Sequence, residues 1–323
     1  MHVHLNYRPE DQALESLQQE LEPGISLSFG EAPPSDQEVD ILVAGRPDQE
    51  LVENCAGLQA VIIPWAGVPT KTRNLLLKFP QIRVHNLHHN ASATAELALS
   101  LLLAVSKRII PYDRRLRADD WQPRYQADQT ILLEGKNALL LGYGAIGRRV
   151  AKYLKSLGMA VRAVRRYPEK GAEPGVEIYP PEKLHELLPR TTALILALPL
   201  TEETRGWIGA EELELLPERS VLVNVSRGPL VVQEDLFNAL KGEKIFGAGL
   251  DVWYNYPSSP EEREDTPPAD HPFGDLENVV LSPHRGGKSP QVENLRMQAL
   301  AASLNAAARG EPMPNQVDLT LGY

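Results

Sequence analysis

The chain reads as an α/β protein of two domains built on parallel sheets, and three observations predict this. Short apolar runs alternate with helical patterns along almost the whole sequence, the signature of a parallel sheet with crossover helices. The stretch LLLGYGAIGRRVAKYLKSLGMAVRAVRRYP, from Leu139 to Pro168, reads as strand, glycine turn, helix and second strand. A length of 323 residues with 42% apolar side chains suffices for two ordinary cores.

In order along the chain, VDILVAG (Val39 to Gly45) is strand-like, QELVENCAG helical, and LQAVIIP (Leu58 to Pro64) strand-like again. SATAELALSLLLAVSKRII (Ser92 to Ile110) is apolar nearly all round, with Ser92 a candidate N-cap, and predicts a buried helix joining the two domains. A second alternating series starts at Asn137 and runs through ALILALP (Ala193 to Pro199), VLVNVSR (Val221 to Arg227), FGAGLDV (Phe246 to Val252) and NVVLSPH (Asn278 to His284). Each run ends in a polar or turn residue. Ligands of open parallel sheets sit outside the carboxyl ends of the strands, so Gly142, Pro199, Arg227, Asp251 and His284 are expected along one edge. SPQVENLRMQALAASLNAAARG closes the chain as a long helix, followed by a short tail. The segment Tyr256 to Pro272, dense in proline and acids, reads as an exposed loop that either folds over the site or lies free.

Composition narrows the function. A net charge of −10 without a long basic run argues against nucleic acid or an anionic membrane as partner, and for a small molecule. No stretch approaches the roughly 18 uncharged apolar residues of a membrane span, and the N-terminus lacks the pattern of a secretory signal. The single cysteine, Cys55, allows no internal disulfide and reads as an inert buried side chain. A soluble, cytoplasmic protein is expected.

Gly142, Gly144 and Gly147 form G-x-G-x-x-G at the junction of an apolar strand and a helix. The first permits the tight turn, the second lets backbone approach a pyrophosphate, and the third allows helix to pack on strand. The N–H groups of the first helical turn, at Ala145 and Ile146, face the phosphates. About 20 residues on, an Asp or Glu ordinarily takes the ribose hydroxyls of NAD. Arg165 and Arg166 stand there instead. Guanidinium groups pair with a 2′-phosphate that a carboxylate would repel, so NADP is favoured. If these arginines are a solvated strand end, NAD serves as well.

With these residues in view, the chain resembles the D-isomer-specific 2-hydroxyacid dehydrogenase family over nearly its whole length. The stretches that carry the resemblance are NASATAELALSLLLAVSKRI, LLGYGAIGRRVAKYLKSLGM, LPLTEETRGWIGAEELELLPERSVLVNVSRGPLVVQEDLFNALKGEKIFGAGLDVW and HPFGDLENVVLSPHRGG. The resemblance implies a Rossmann-like doubly wound parallel sheet, residues 101–288, as cofactor domain, inserted into a smaller flavodoxin-like α/β substrate domain made of residues 1–100 and 289–323. It also implies a homodimer through the cofactor domain.

By the same resemblance Arg227, in VSRGP, binds the substrate carboxylate and polarises the reacting oxygen. His284, in SPHRGG, moves the proton, a task its near-neutral ordinary pKa suits. Asp251 helps to hold the nicotinamide carboxamide, while Thr94, Glu96, Pro199, Thr201 and Thr204 match positions lining the cofactor site, although capping and turn formation account for those residue types too. The loop PWAGVP brings Ala66, Gly67 and Val68 to the substrate carboxylate, with Trp65 either shaping the side-chain pocket or plugging the domain surface.

One departure stands out. The family places a glutamate beside the histidine, which favours its charged form. DVWYNYP carries Tyr256 there. A neutral phenol orients an imidazole without raising its pKa, so His284 is expected to titrate lower than in relatives and reduction to fade earlier as pH rises. The formate dehydrogenase branch also lacks that glutamate, and Asn90 and Trp253 fall where it has an asparagine and a tryptophan, but its long N-terminal extension is absent. The expected activity is reduction of a small 2-keto acid, glyoxylate, hydroxypyruvate or similar. A regulator of the same fold that binds NAD(P) without turnover, and formate oxidation, are the alternatives.

Overall fold

A computed structural model describes residues 1–35, 38–127 and 129–323, and the chain divides into two compact units, Met1–Asn90 with Lys288–Tyr323, and Ala91–Gly287. The sequence placed the first boundary at residue 100, inside what proves to be one continuous helix, Ala91–Ser106. That helix belongs wholly to the second unit because its small and apolar face packs on that unit's sheet: Leu101 and Val105 fit against Gly249 and Gly247, where no side chain intervenes.

The first unit follows a β/α order. Strands β1 (His2–Leu5), β2 (Ser26–Phe29), β3 (Ile41–Val43), β4 (Ala60–Ile63) and β5 (Arg83–Asn86) alternate with helices α1 (Asp11–Glu20), α2 (Gln49–Asn54) and α3 (Thr70–Leu76). All pairings are parallel, in the order β2-β1-β3-β4-β5, so the chain reverses its direction of winding between β1 and β3. This is the flavodoxin-like order, whose switch point is a common ligand site. The closing helix, Pro290–Ala308, capped by Ser289, lays Met297, Leu300, Ala301 and Leu304 on the core beside α1. Cys55 is buried, and desolvation pushes its thiol up to about 11, which keeps it inert.

The second unit opens with α4 (Ala91–Ser106) and α5 (Ile109–Leu116). Ser92 proves not to cap α4: it lies inside the first turn, and its hydroxyl accepts from Arg149 Nε at 3.0 Å. Then come β6 (Asn137–Leu141), α6 (Ala145–Ser156), β7 (Ala160–Val164), β8 (Val176–Tyr179), α7 (Leu184–Leu187), β9 (Ala193–Leu196), α8 (Ala210–Leu215), β10 (Val221–Asn224), α9 (Gln233–Lys241), β11 (Gly247–Leu250) and β12 (Val279–Leu281). The seven strands run parallel in the order β12-β11-β10-β9-β6-β7-β8, a doubly wound sheet. Central strands buried on both faces explain the continuous apolar runs of the sequence.

The acidic, proline-rich loop is held to this second unit. Tyr254 and Asn255 donate their backbone N–H groups to Pro268 O at 3.1 and 3.0 Å, and Asp270 accepts from Gln233 and Asn255 side chains at 3.0 and 2.9 Å. Its tip forms a turn of 3-10 helix, Glu261–Glu264, braced by Glu262 on the hydroxyl and N–H of Ser258.

Candidate active site

Gly142, Pro199, Arg227, Asp251 and His284 follow β6, β9, β10, β11 and β12, and so gather at the carboxyl edge of one parallel sheet, as the periodicity predicts. Their supports are specific. Arg227 is exposed and rests on a hydrogen-bonded turn: Asn224 Nδ2 donates to Arg227 O at 2.9 Å, Asn224 Oδ1 accepts from Ser226 N at 3.1 Å, and Ser226 Oγ donates to Leu198 O. Arg227 Nη1 reaches back to Ser226 O at 2.6 Å. Gly228 lets this turn lie on the backbone of Trp253, where a Cβ would collide with the carbonyl.

His284 occupies the left-handed region at φ 55°, unusual for a residue with a Cβ. Asp251 keeps it there. This carboxylate is 1% exposed and accepts from Ser282 Oγ at 2.5 Å, Arg285 N at 2.8 Å and Gly286 N at 2.9 Å, so both oxygens are engaged by the residues flanking the histidine. Trp253, itself buried, adds Nε1 to Ser282 O at 2.8 Å. Backbone strain is stable only where the surroundings over-determine it, and four hydrogen bonds do so here.

Tyr256 completes the arrangement. Its hydroxyl accepts from Trp253 N at 3.1 Å and stands 3.0 Å from His284 Nδ1. Burial pushes the phenol above its ordinary value, with Asp251 adding to the rise and the Trp253 N–H and Arg227 opposing it. Tyr256 is therefore neutral at physiological pH.

The glycine turn fits a dinucleotide. Gly142, at φ 97°, and Gly147 approach Ala197 and Gly142 carbonyls so closely that a Cβ at either would collide with backbone. Gly144, which precedes α6 as its N-cap, has nothing within 4 Å of where a Cβ would be and no side-chain cap, leaving an open cradle before the first-turn N–H groups of Ala145 and Ile146. Arg165 and Arg166 follow β7; Arg165 Nη1 touches Gly171 O at 3.4 Å and Arg166 pairs with Glu203. Thr204 Oγ1 donates to Pro199 O at 2.8 Å and accepts from Thr201 N at 2.8 Å, so a turn accounts for all three residue types. Thr94 is buried beside Gly286, and Glu96 is exposed.

In the first unit, the loop after β4 carries Trp65, Ala66, Gly67 and Val68, all partly buried. Asn86 Nδ2 clamps the loop by donating to Ala66 O at 2.6 Å, and Trp65 lies flat on Gly45, where any Cβ would overlap the indole. Asn90 follows β5 at the same edge. The sequence reading missed the supports Asn224, Ser226, Ser282 and Asn86, and singled out Trp253 without its bracing role. A polar residue inside or just after an apolar strand was the available signal for the first three. Among the described residues, no group of three or more His, Cys, Asp or Glu is placed to hold a metal ion, and no helix is long and apolar enough to cross a membrane.

A dinucleotide turn, an arginine and a histidine at the carboxyl edge of one parallel sheet define an NAD(P)-dependent oxidoreductase class. The family model described as D-isomer specific 2-hydroxyacid dehydrogenase, NAD binding domain, matches residues 99–286, and the chain belongs to that family. It is 33% identical to a glyoxylate reductase of Thermococcus litoralis over 87% of this chain and 84% of that protein. It is 37% identical to a glyoxylate reductase of Korarchaeum cryptofilum over 70% of this chain, the aligned part spanning only 65% of that relative. A crystal structure of a D-isomer specific 2-hydroxyacid dehydrogenase from Xanthobacter autotrophicus, in complex with NADPH and MES, superimposes with a TM-score of 0.80 at 26% identity, covering 100% of this chain and 99% of that one.

Proposed function

We infer that this protein is an NADP(H)-preferring 2-hydroxyacid dehydrogenase working as a reductase of a small 2-keto acid, glyoxylate or hydroxypyruvate. The observation that carries the reading is the emergence of Arg227, of Asp251 with Tyr256, and of His284 from the ends of three adjacent strands, β10, β11 and β12. Arg227 binds the substrate carboxylate and stabilises charge developing on the carbonyl oxygen. His284, oriented through Nδ1 by Tyr256, delivers the proton from Nε2 to that oxygen. Backbone N–H groups of Ala66, Gly67 and Val68 take the carboxylate, with Trp65 and Asn90 beside them. Gly142–Gly147 would hold NADPH, which would supply the hydride to C2, and Thr94, Pro199, Thr204 and Asp251 border or brace that site.

Two features support NADP over NAD: the pair Arg165 and Arg166 where an acid ordinarily stands, and NADPH in the Xanthobacter relative. Glu203, now against Arg166, is the group that a 2′-phosphate displaces. A homodimer in a reducing cytoplasm completes the reading, the compartment resting on the lone buried Cys55.

The test is the initial rate of NADPH and NADH oxidation with glyoxylate, hydroxypyruvate and pyruvate. Turnover favouring NADPH is expected. Tyr256 in place of an acid favours one other reading, a regulator that binds NAD(P) without turnover; tight cofactor binding with no rate on any keto acid would establish it.

A further inference from the structure

We propose that Tyr7, His89 and Arg296 form a subsite in the first unit that recognises a hydroxyl on the substrate's side chain. The proposal rests on the 2-keto acid reading and names the kind of acid it prefers.

The three residues come from different parts of the chain. Tyr7 lies just beyond β1, His89 just beyond β5, and Arg296 on the closing helix, Pro290–Ala308. Tyr7 therefore stands at the carboxyl edge of the first sheet, at the point where the winding reverses between β1 and β3. The loop Trp65 to Val68 ends β4 at the same edge, two strands away or about 10 Å at ordinary strand spacing. A tyrosine side chain and a three-carbon acid together span that gap.

Arg296 is the hub. Its guanidinium lies 5.1 Å from the centre of the Tyr7 ring, and its Nη2 holds Glu293 Oε1 at 2.5 Å. One polar atom of each of the three residues is shut off from solvent and has no hydrogen-bond partner: Arg296 Nε, the Tyr7 hydroxyl and His89 Nδ1. Buried polar groups are nearly always paired, so the orphans on Tyr7 and on the Arg296 that lies over its ring, with His89 within the reach of that charge, point to a group that pairs with them. Their protonation narrows its chemistry. Burial raises Tyr7 above its ordinary value, with Glu293 adding and Arg296 opposing, so the phenol keeps its proton. Burial, Arg296 and His88 together hold His89 at about 4, so the imidazole is neutral.

The site thus offers two fixed donors, the Arg296 Nε–H and the Tyr7 O–H, and one imidazole nitrogen able to accept. Glu293 already neutralises Arg296. A second carboxylate would meet no net positive charge, whereas a hydroxyl both accepts and donates without bringing a charge into a buried place. Trp65, flat on Gly45 at the neighbouring strand end, supplies an apolar wall for the carbon that bears it.

Hydroxypyruvate and pyruvate differ only by this hydroxyl, as do D-glycerate and D-lactate. The experiment compares kcat/KM for the two keto acids, and calorimetric affinity for the two hydroxy acids in the presence of NADP, in the wild type, Tyr7→Phe and Arg296→Lys. A preference for the hydroxylated acid of about tenfold is expected in both assays, falling to near parity in Tyr7→Phe. Equal affinity for D-glycerate and D-lactate in the wild type, or a preference untouched by both substitutions, overturns the subsite. A stronger response to oxaloacetate than to hydroxypyruvate overturns the assignment of a hydroxyl. If neither keto acid is reduced while D-glycerate still binds more tightly than D-lactate, the reductase reading fails and the subsite stands.

Discussion

The hydroxyl of Tyr256 stands 3.0 Å from Nδ1 of His284 while accepting the amide of Trp253 at 3.1 Å. A neutral phenol has one proton, and with its oxygen already an acceptor for Trp253 that proton is available to Nδ1. The ring proton of the neutral imidazole then resides on Nε2, the nitrogen turned away from Tyr256. Charging the imidazole reverses the contact: Nδ1–H must donate to the phenol oxygen, and the phenol must turn its own proton elsewhere. A carboxylate would have favoured the charged form without such a rearrangement.

Replacing Tyr256 with Glu is therefore expected to move the alkaline limb of keto acid reduction to higher pH by about one unit. Tyr256→Phe removes the orienting contact and is expected to lower kcat by about tenfold or more, leaving KM little changed. Full pH profiles of kcat and kcat/KM on the three proteins check both. An unmoved limb in Tyr256→Glu would sink the account of this pair.

Asp251 holds the loop of His284 through Ser282, Arg285 and Gly286. Asp251→Asn places an amide against at least one backbone N–H and leaves a buried donor unpaired, at a cost of about 1–3 kcal/mol. Loss of activity is expected to exceed loss of cofactor affinity, because the left-handed backbone at His284 relaxes. Thermal melting together with NADPH titration separates the two effects.

Two glycines of the turn, Gly142 and Gly144, are predicted to differ. Gly144→Ala adds a methyl where nothing stands within 4 Å, so melting should be unchanged while NADPH affinity falls by about tenfold. Gly142→Ala meets the Ala197 carbonyl at a positive φ and should destabilise the fold itself. Equal losses of stability in the two variants would contradict the open cradle.

In the proposed reading Arg165 and Arg166 supply charge for a 2′-phosphate. Arg165→Ser and Arg166→Ser are each expected to raise the KM for NADPH by about tenfold with NADH little affected, and the difference should shrink at high salt. Steady-state kinetics with both cofactors at two ionic strengths provide the check.

The first unit should lose stability in mild acid. Burial is the leading cause that lowers His4, His85 and His89, the last to about 4, from an ordinary value of 6.5. A histidine held below its unfolded value stabilises the native state above that value, and the contribution is lost as pH falls through the folded one. Melting temperature should thus drop by a few degrees between about pH 6.5 and 4. His4 participates through a relay on the edge of the sheet, with Ser28 Oγ between His4 Nδ1 at 2.9 Å and His2 Nε2 at 2.8 Å. Ser28→Ala should shift the acid transition, which circular dichroism along a pH series will detect.

The sequence by itself determined the parallel sheets, their strand ends and the glycine turn, because apolar period and glycine placement are local and report directly on burial and backbone geometry. It also marked Arg227 and His284, since each follows a strand whose end is a ligand edge, while the unusual Tyr256 was marked by the family resemblance. Only the tertiary structure decided what those residues touch. That Asp251 clamps the histidine loop, that Asn224 and Ser226 brace the arginine, and that Arg296 lies over the ring of Tyr7 all depend on contacts between segments far apart in the chain. No local pattern encodes such contacts, because the partner of a polar side chain is chosen by packing after the strands and helices are in place.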